Sequence, residues 1–344
     1  MNHSQRMIYT GFLVLSTFAT TSIEAASWQT CNGDAITWDG DDTTMYISTT
    51  SMPPGSTWDS KLQNAMWFWN DTGGSNWTFW VNRDTDGSHS SSNGRNEIYF
   101  EYDPNDSALA TTYSRYVCYW LFGTHTWYSE ADIDFNTRWS WTTGDFTGDN
   151  FSSPYNFELV ALHELGHALG LLHSDGHTAT MNTYYPNGGS VGHYNAVEPH
   201  ADDRYGLRIL YGDSSTERDA AVLRFRNNGG GGTWLNTFPS SVSRGSSYSL
   251  YYTLENFSTQ SEYINLRFYI STNNYISTAD IYVGSVTWSM SEGSVATATK
   301  TVTIPTTLSP GTYYIGYLAD PYNSIPESDE SNNYVSILRS FTVY

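Results

Sequence analysis

The chain has 344 residues, enough for two domains, and carries 35 acidic against 15 basic side chains for a net charge of −20. Nucleic-acid binding needs clustered Lys and Arg, whereas the only lysines here are Lys61 and Lys300, so a polyanionic partner is excluded. The longest apolar run, residues 7–18, is too short to span a bilayer, which excludes a transmembrane segment.

In chain order, Arg6, the apolar run 7–18 and the close Ile23-Glu24-Ala25-Ala26 read as a secretory signal peptide over residues 1–25, cleaved after Ala25 or Ala26. The two cysteines, Cys31 and Cys118, suit an oxidising destination and are expected to pair. Met45-Tyr46-Ile47-Ser48 predicts a strand. Trp58, Leu62, Ala65, Met66 and Trp69 recur at helical spacing and predict an amphipathic helix. Strands are expected at 77–81, 97–101, 108–112 and 131–135. Acidic loops at 84–87, 103–106 and 144–149 could hold structural calcium, although none has the spacing of a calcium-loop motif and solvated turns are the default.

Ser152-Ser153-Pro154 then offers a helix start, followed by an apolar helical face from Phe157, Val160, Ala161, Leu162, Leu165 and Leu169. His163 and His167, four apart on that helix, project from one face. A catalytic zinc needs three protein ligands and one position for water. His173 can be the third if the chain turns at Gly170, where glycine takes a left-handed conformation without steric cost. Glu164, next to the first ligand, is placed to act as general base on water whose pKa zinc lowers from about 15.7 to about 7. His177, His193 and His200 follow and are expected at the surface or behind the ligands.

Met181 lies eight residues beyond His173, in Thr180-Met181-Asn182-Thr183-Tyr184-Tyr185-Pro186. With these residues in view, the stretch from about Trp38 to Gly212 resembles the metzincin metalloproteases of matrixin type. His173-Ser174, Ala131-Asp132-Ile133-Asp134-Phe135-Asn136, and the terminal helix from about Pro199 closing on Tyr211-Gly212 are similar to that family's segments. The resemblance implies an α+β catalytic domain with a twisted mixed sheet and three helices, one catalytic zinc on His163, His167 and His173, and Glu164 as base. It also implies Met181 as a supporting methionine turn, and Ala108, Leu109, Ala110, Thr111 and Thr112 as a sheet edge that pairs with an extended peptide. Thr183 and Tyr185 hold the places where the family has a proline and a tyrosine, which leaves the outer wall of the specificity pocket open. Tyr184 or Tyr185 either packs or leans toward the metal. Two family features stay open in the same way. Cys31 could be a latency thiol on the metal instead of a disulfide partner, and His89 and His125 lie where some matrixins hold a second zinc, without the required spacing.

Residues 213–218 are polar and unpatterned and read as a linker. Beyond them short strands at 248–254, 264–270, 281–286, 296–304, 313–318 and 334–343 alternate with turns, predicting an all-β sandwich over 219–344. Its Tyr269-Ile270-Ser271-Thr272, Gly311-Thr312-Tyr313-Tyr314-Ile315 and Glu327-Ser328-Asp329-Glu330-Ser331-Asn332-Asn333 segments look like the bacterial cell-adhesion-related domain CARDB, which implies an extracellular surface or matrix ligand. Taken together, residues 27–212 are expected to form a secreted, bacterially exported zinc endopeptidase acting on protein or peptide. The competing expectations are a non-catalytic adhesion protein built on the same scaffold and an amidase of small substrates.

Overall fold

Ser56 starts the first helix, α1 (Thr57–Asn70), by accepting the Asp59 amide on its hydroxyl at 3.2 Å. Leu62, Ala65, Met66 and Trp69 then fall on one buried face, the pattern that makes a helix stable only against a partner. The computed structural model describes residues 19–20, 26–85, 90, 92–146, 153–186, 197–227, 232–234, 238–336 and 340–344. Nearly all of the signal-peptide segment, His89, His193, and the 86–87 and 147–149 parts of two acidic loops lie outside those residues.

The partner of α1 is a twisted five-stranded sheet. With β1 (Asp42–Ser48), β2 (Thr78–Asp84), β3 (Asn96–Glu101), β4 (Ala110–Trp120) and β5 (Thr124–Asn136), its order is β2-β1-β3-β5-β4. Every pairing is parallel except β4 with β5. β4 and β5 are far longer than the stretches at 108–112 and 131–135 predicted. Residues 113–128 are rich in Tyr, Trp and Thr, which favour a pleated ribbon, and the ribbon turns at Phe122-Gly123, both at positive φ. The expected edge strand also starts late, so Ala108 and Leu109 lie outside it. The Ala108 carbonyl accepts the Trp139 indole (2.9 Å), while the Leu109 carbonyl still accepts the amide of Asn136, the last residue of β5 (2.9 Å). Cys31 and Cys118 form a disulfide with Cα atoms 6.0 Å apart, tying the N-terminal segment to the ribbon.

The second helix, α2 (Phe157–Leu169), is buried on nearly all sides between the sheet and α1. Its N-cap is Asn156, whose Oδ1 accepts the Leu159 amide at 2.9 Å, and not the Ser-Pro pair upstream. The chain stays extended to Asn156 because Tyr155-Asn156 pairs with Trp141-Thr142. α3 (Ala201–Tyr211) closes the domain. Among the described residues no helix is long and apolar enough to cross a membrane.

The second domain is a two-sheet sandwich. β6 (Ala220–Leu223), β7 (Ser247–Asn256) and β10 (Val295–Thr303) form one sheet in the order β6-β7-β10. β8 (Glu262–Ser271), β9 (Ile281–Met290), β11 (Gly311–Ala319), β12 (Tyr334–Ser336) and β13 (Phe341–Val343) belong to the other. Leu250, Tyr252 and Leu254 of the first face Ile264, Leu266 and Phe268 of the second in one buried core. The segment 334–343, predicted as one strand, is two. Both pair with β11, but the eight residues from Tyr334 to Phe341 span six on the partner, from Leu318 to Tyr313.

Candidate active site

Helix α2 projects His163 and His167 into a cleft of about 870 Å³ between itself and the edge strand β4. Gly170 ends the helix at φ 105°, and a side chain there would meet the Tyr128 hydroxyl at 2.9 Å, so glycine satisfies both the turn and the packing. The segment beyond is held from a direction the sequence did not signal. Gln29 donates its amide to Gly170 O (3.0 Å), Leu172 to Ser27 O (2.8 Å), and the Ser27 hydroxyl to His173 O (3.1 Å). These three bonds bring His173 back toward the helix.

The three imidazoles converge. Nε2 of His173 lies 3.1 Å from Nε2 of His167 and 3.3 Å from Nε2 of His163. His163 Nδ1 meets Thr180 O and His167 Nδ1 meets Leu171 O, each at 2.8 Å, and a carbonyl can only accept. The Nδ1 atoms therefore carry the protons, and the Nε2 lone pairs of these two rings are bare. The three Nε2 atoms form a set that could hold a metal ion, and donors on a tetrahedral zinc with bonds of about 2.0 Å sit about 3.3 Å apart. Burial keeps the rings neutral, as ligands must be. It holds His163 well below the ordinary imidazole range, pushes His167 down to about 4 and lowers His173. Among the described residues this is the only such group of three.

Glu164 is buried beside the cleft, and burial raises its carboxyl to about 7. Opposing that, the Thr112 hydroxyl donates to Glu164 Oε2 at 2.7 Å. Thr112, expected as a backbone-pairing residue, thus also orients the carboxylate. Met181 packs directly under the helix at Gly166, where a Cβ would come within 2.4 Å of its sulfur. Its turn is pinned by Asp203, which accepts the Thr180 amide at 2.6 Å and the Met181 amide at 3.1 Å. Of the two tyrosines, Tyr185 packs on Tyr155 and accepts the Asn156 amide on its hydroxyl (3.2 Å), while Tyr184 is exposed at the mouth of the cleft. Ala108, Leu109, Ala110, Thr111 and Thr112 all line the cleft. Beyond the site, His125 is exposed against Leu121 O, His177 is paired with Asp202 at 3.1 Å, and His200 is fully buried, which leaves the surface half of its expectation unmet.

The matrixin family model matches residues 37–212, just over half of the sequence. This chain belongs to the matrixin family. The family is one of zinc-dependent metalloendopeptidases, and the three histidines are a set that could hold its metal. A CARDB model matches residues 235–337. The matrixin segment is 34% identical over 99 residues to stromelysin-1 of Rattus norvegicus, covering 29% of this chain and 18% of that protein. It is 39% identical over 94 residues to matrix metalloproteinase-25 of Mus musculus, covering 27% and 14%. A putative matrix metalloproteinase of Heliothis virescens ascovirus 3e is 31% identical over 134 residues, covering 38% and 26%. The match thus spans roughly a quarter or less of these relatives. Among solved structures, the CARDB domain of a Pyrococcus furiosus protein aligns at TM-score 0.27 and 16% identity, covering 38% of this matrixin and 97% of that chain.

Proposed function

We propose that the chain is a secreted zinc-dependent endopeptidase: a signal peptide at 1–25, a catalytic domain at 27–212, a linker at 213–218 and a sandwich domain at 219–344. In this reading His163, His167 and His173 hold one zinc, Glu164 is the general base, and Met181 supports the site from below. The observation that carries it is the meeting of three imidazole Nε2 atoms within 3.3 Å along two of their edges, with carbonyls on the Nδ1 side of two rings.

Bound zinc supplies Lewis-acid polarisation of the scissile carbonyl and a lowered pKa for the attacking water. Glu164, its carboxylate oriented by Thr112, would take the proton of that water, hold it in the buried site, and return it to the departing amine. The free edge of β4 offers main-chain groups from Ala110 onward for an extended peptide, which presents its carbonyl at fixed geometry. Tyr185 walls the cleft through its packing, and Tyr184 stands where a substrate side chain enters. The sandwich domain is suited to hold the enzyme on an extracellular surface or matrix.

The test is cleavage of casein by the purified full chain carrying one zinc. Cleavage should stop with a chelator and in Glu164→Ala, with zinc uptake retained in the variant. A variant that cleaves as fast as the parent would reject the base assignment. Zinc uptake without any cleavage of protein would favour the non-catalytic adhesion reading, and cleavage of small amides alone would favour an amidase.

A further inference from the structure

The N-terminus of α3 is a junction between the two domains. His200, its N-cap, and Glu255, near the end of β7 in the sandwich domain, are both fully buried. Both carboxylate oxygens of Glu255 face His200 Nδ1, at 3.0 and 3.2 Å, and Oε2 also accepts the Ala201 amide at 3.3 Å. The His200 amide in turn donates to Asp203 Oδ2 at 3.1 Å, and lies 3.3 Å from the Thr180 hydroxyl. Asp203 is the residue that accepts the Thr180 and Met181 amides. Thr180 closes the series, because its carbonyl accepts from Nδ1 of His163 at 2.8 Å. Every link is a buried polar contact, and groups of this kind have few alternative partners if one is removed.

Arg208 and Gly293 make further interdomain contacts on α3. Arg208 donates to Ser258 O (3.2 Å) and Phe257 O (2.7 Å) and lies 3.5 Å from Glu292. Gly293 lies close against Tyr205, where a Cβ would fall 2.4 Å from the Tyr205 Cβ. Gly293 also faces Ala201 O, and Arg204, whose Nε donates to Pro199 O (2.9 Å), lies over the Phe257 ring. Among the described residues, however, Glu255 is the sandwich-domain side chain that bonds His200 and the Ala201 amide, next to the His200 amide held by Asp203.

We infer that Glu255 is a positioning residue for the metal site: through His200 it fixes the start of α3, and thereby the turn at residues 180–181 that orients His163. The sandwich domain is on this account part of what shapes the zinc centre, and not only an appended module. The inference rests on the zinc reading of the three histidines. It implies coupling in both directions, since whatever Glu255 contributes to zinc binding, zinc must return to the Glu255 contacts.

The test uses the zinc-loaded full chain. Zinc release to a chromophoric chelator, well below the melting temperature, is followed in wild type, Glu255→Ala and Glu292→Ala. Removing a group that orients a ligand weakens metal binding by about 10–100-fold, and Glu255 acts at one remove, so release about 10-fold faster is expected in Glu255→Ala. Glu292→Ala, which loses an interdomain contact that leads nowhere near the histidines, should stay close to wild type. Equal acceleration in both variants, or none in Glu255→Ala, overturns the inference. If Glu255→Ala does not fold, hydrogen exchange of wild type decides. Zinc should slow exchange at the amides of Ala201 and the 253–256 end of β7 while leaving β13 unchanged, and an identical pattern with and without zinc overturns it. A wild-type chain that takes up no zinc fails differently, by removing the metalloprotease reading itself.

Discussion

Gly166→Ala tests whether the methionine turn is truly wedged against the zinc helix. On a helix surface the added methyl would stabilise by about 1 kcal/mol through the unfolded chain's lost freedom. Here it would sit 2.4 Å from Met181 Sδ, 3.3 Å from Met181 Cε and 3.2 Å from Trp69 Cζ2, where carbon contacts prefer about 3.5–4.0 Å. Neither neighbour retreats easily. Trp69 is anchored by its indole bond to Leu162 O (3.0 Å), and the Met181 backbone is bonded to Asp203 (3.1 Å). Overpacking of this kind costs about 1–3 kcal/mol, and with both neighbours anchored the upper end applies, for a net loss of about 2 kcal/mol. In a domain of this size that lowers Tm by about 4–8 °C. Calorimetry on single and double variants separates the terms. In a Met181→Ala background the contacts to Met181 Sδ and Cε are gone and only Trp69 at 3.2 Å remains, so Gly166→Ala should cost less there. If Gly166→Ala costs the same in both backgrounds, the wedge does not exist.

Four further outcomes are expected. Glu164→Ala should lose about 10²–10⁴-fold in kcat on a protein substrate while binding zinc as tightly as the parent, read by fluorogenic peptide assay and metal titration. Stripping zinc should lower stability by about 4 kcal/mol when the ion had been present at 1,000 times its Kd, with recovery on adding zinc but not magnesium in a thermal melt. Reducing Cys31–Cys118, which closes a separation of 87 residues, should cost about 2–5 kcal/mol in denaturant midpoint, and an unchanged midpoint would mean the ribbon needs no tether. Asp219 is buried, and burial raises its carboxyl to about 8 from an ordinary 3.8, so the native state holds a proton the unfolded chain gives up. Stability from this group is therefore full below pH 3.8 and is lost as pH rises through about 8. Asp219→Asn should flatten that decline in urea melts across pH 5–9, and a parallel decline in both proteins would refute it.

Much of the site lay open in one short stretch. Two histidines four apart on an apolar helix, a glycine where the turn must fall and a third histidine six residues after the second together specify a face, a reversal and a donor set. What failed were features set by partners distant in sequence. The α2 start moved from Ser152-Ser153-Pro154 to Asn156 because Tyr155-Asn156 pairs with Trp141-Thr142. Ala108 left the edge strand, its carbonyl taken by the Trp139 indole, 31 residues on. Whether His200 lay at the surface or behind the ligands stayed open because its partner, Glu255, belongs to the other domain.

Local patterning gave the elements, the two-domain order and the candidate ligands, since helical periodicity and ligand spacing are properties of neighbouring residues, and the matrixin resemblance added the catalytic domain's class of fold. Tertiary structure alone decided how those ligands are oriented. The proton positions on His163 and His167 depend on the carbonyls of Thr180 and Leu171, and the Glu164 carboxylate depends on Thr112, 52 positions earlier. A hydrogen bond acts over about 3 Å of space and takes no account of separation along the chain, so only the folded molecule could bring those groups together.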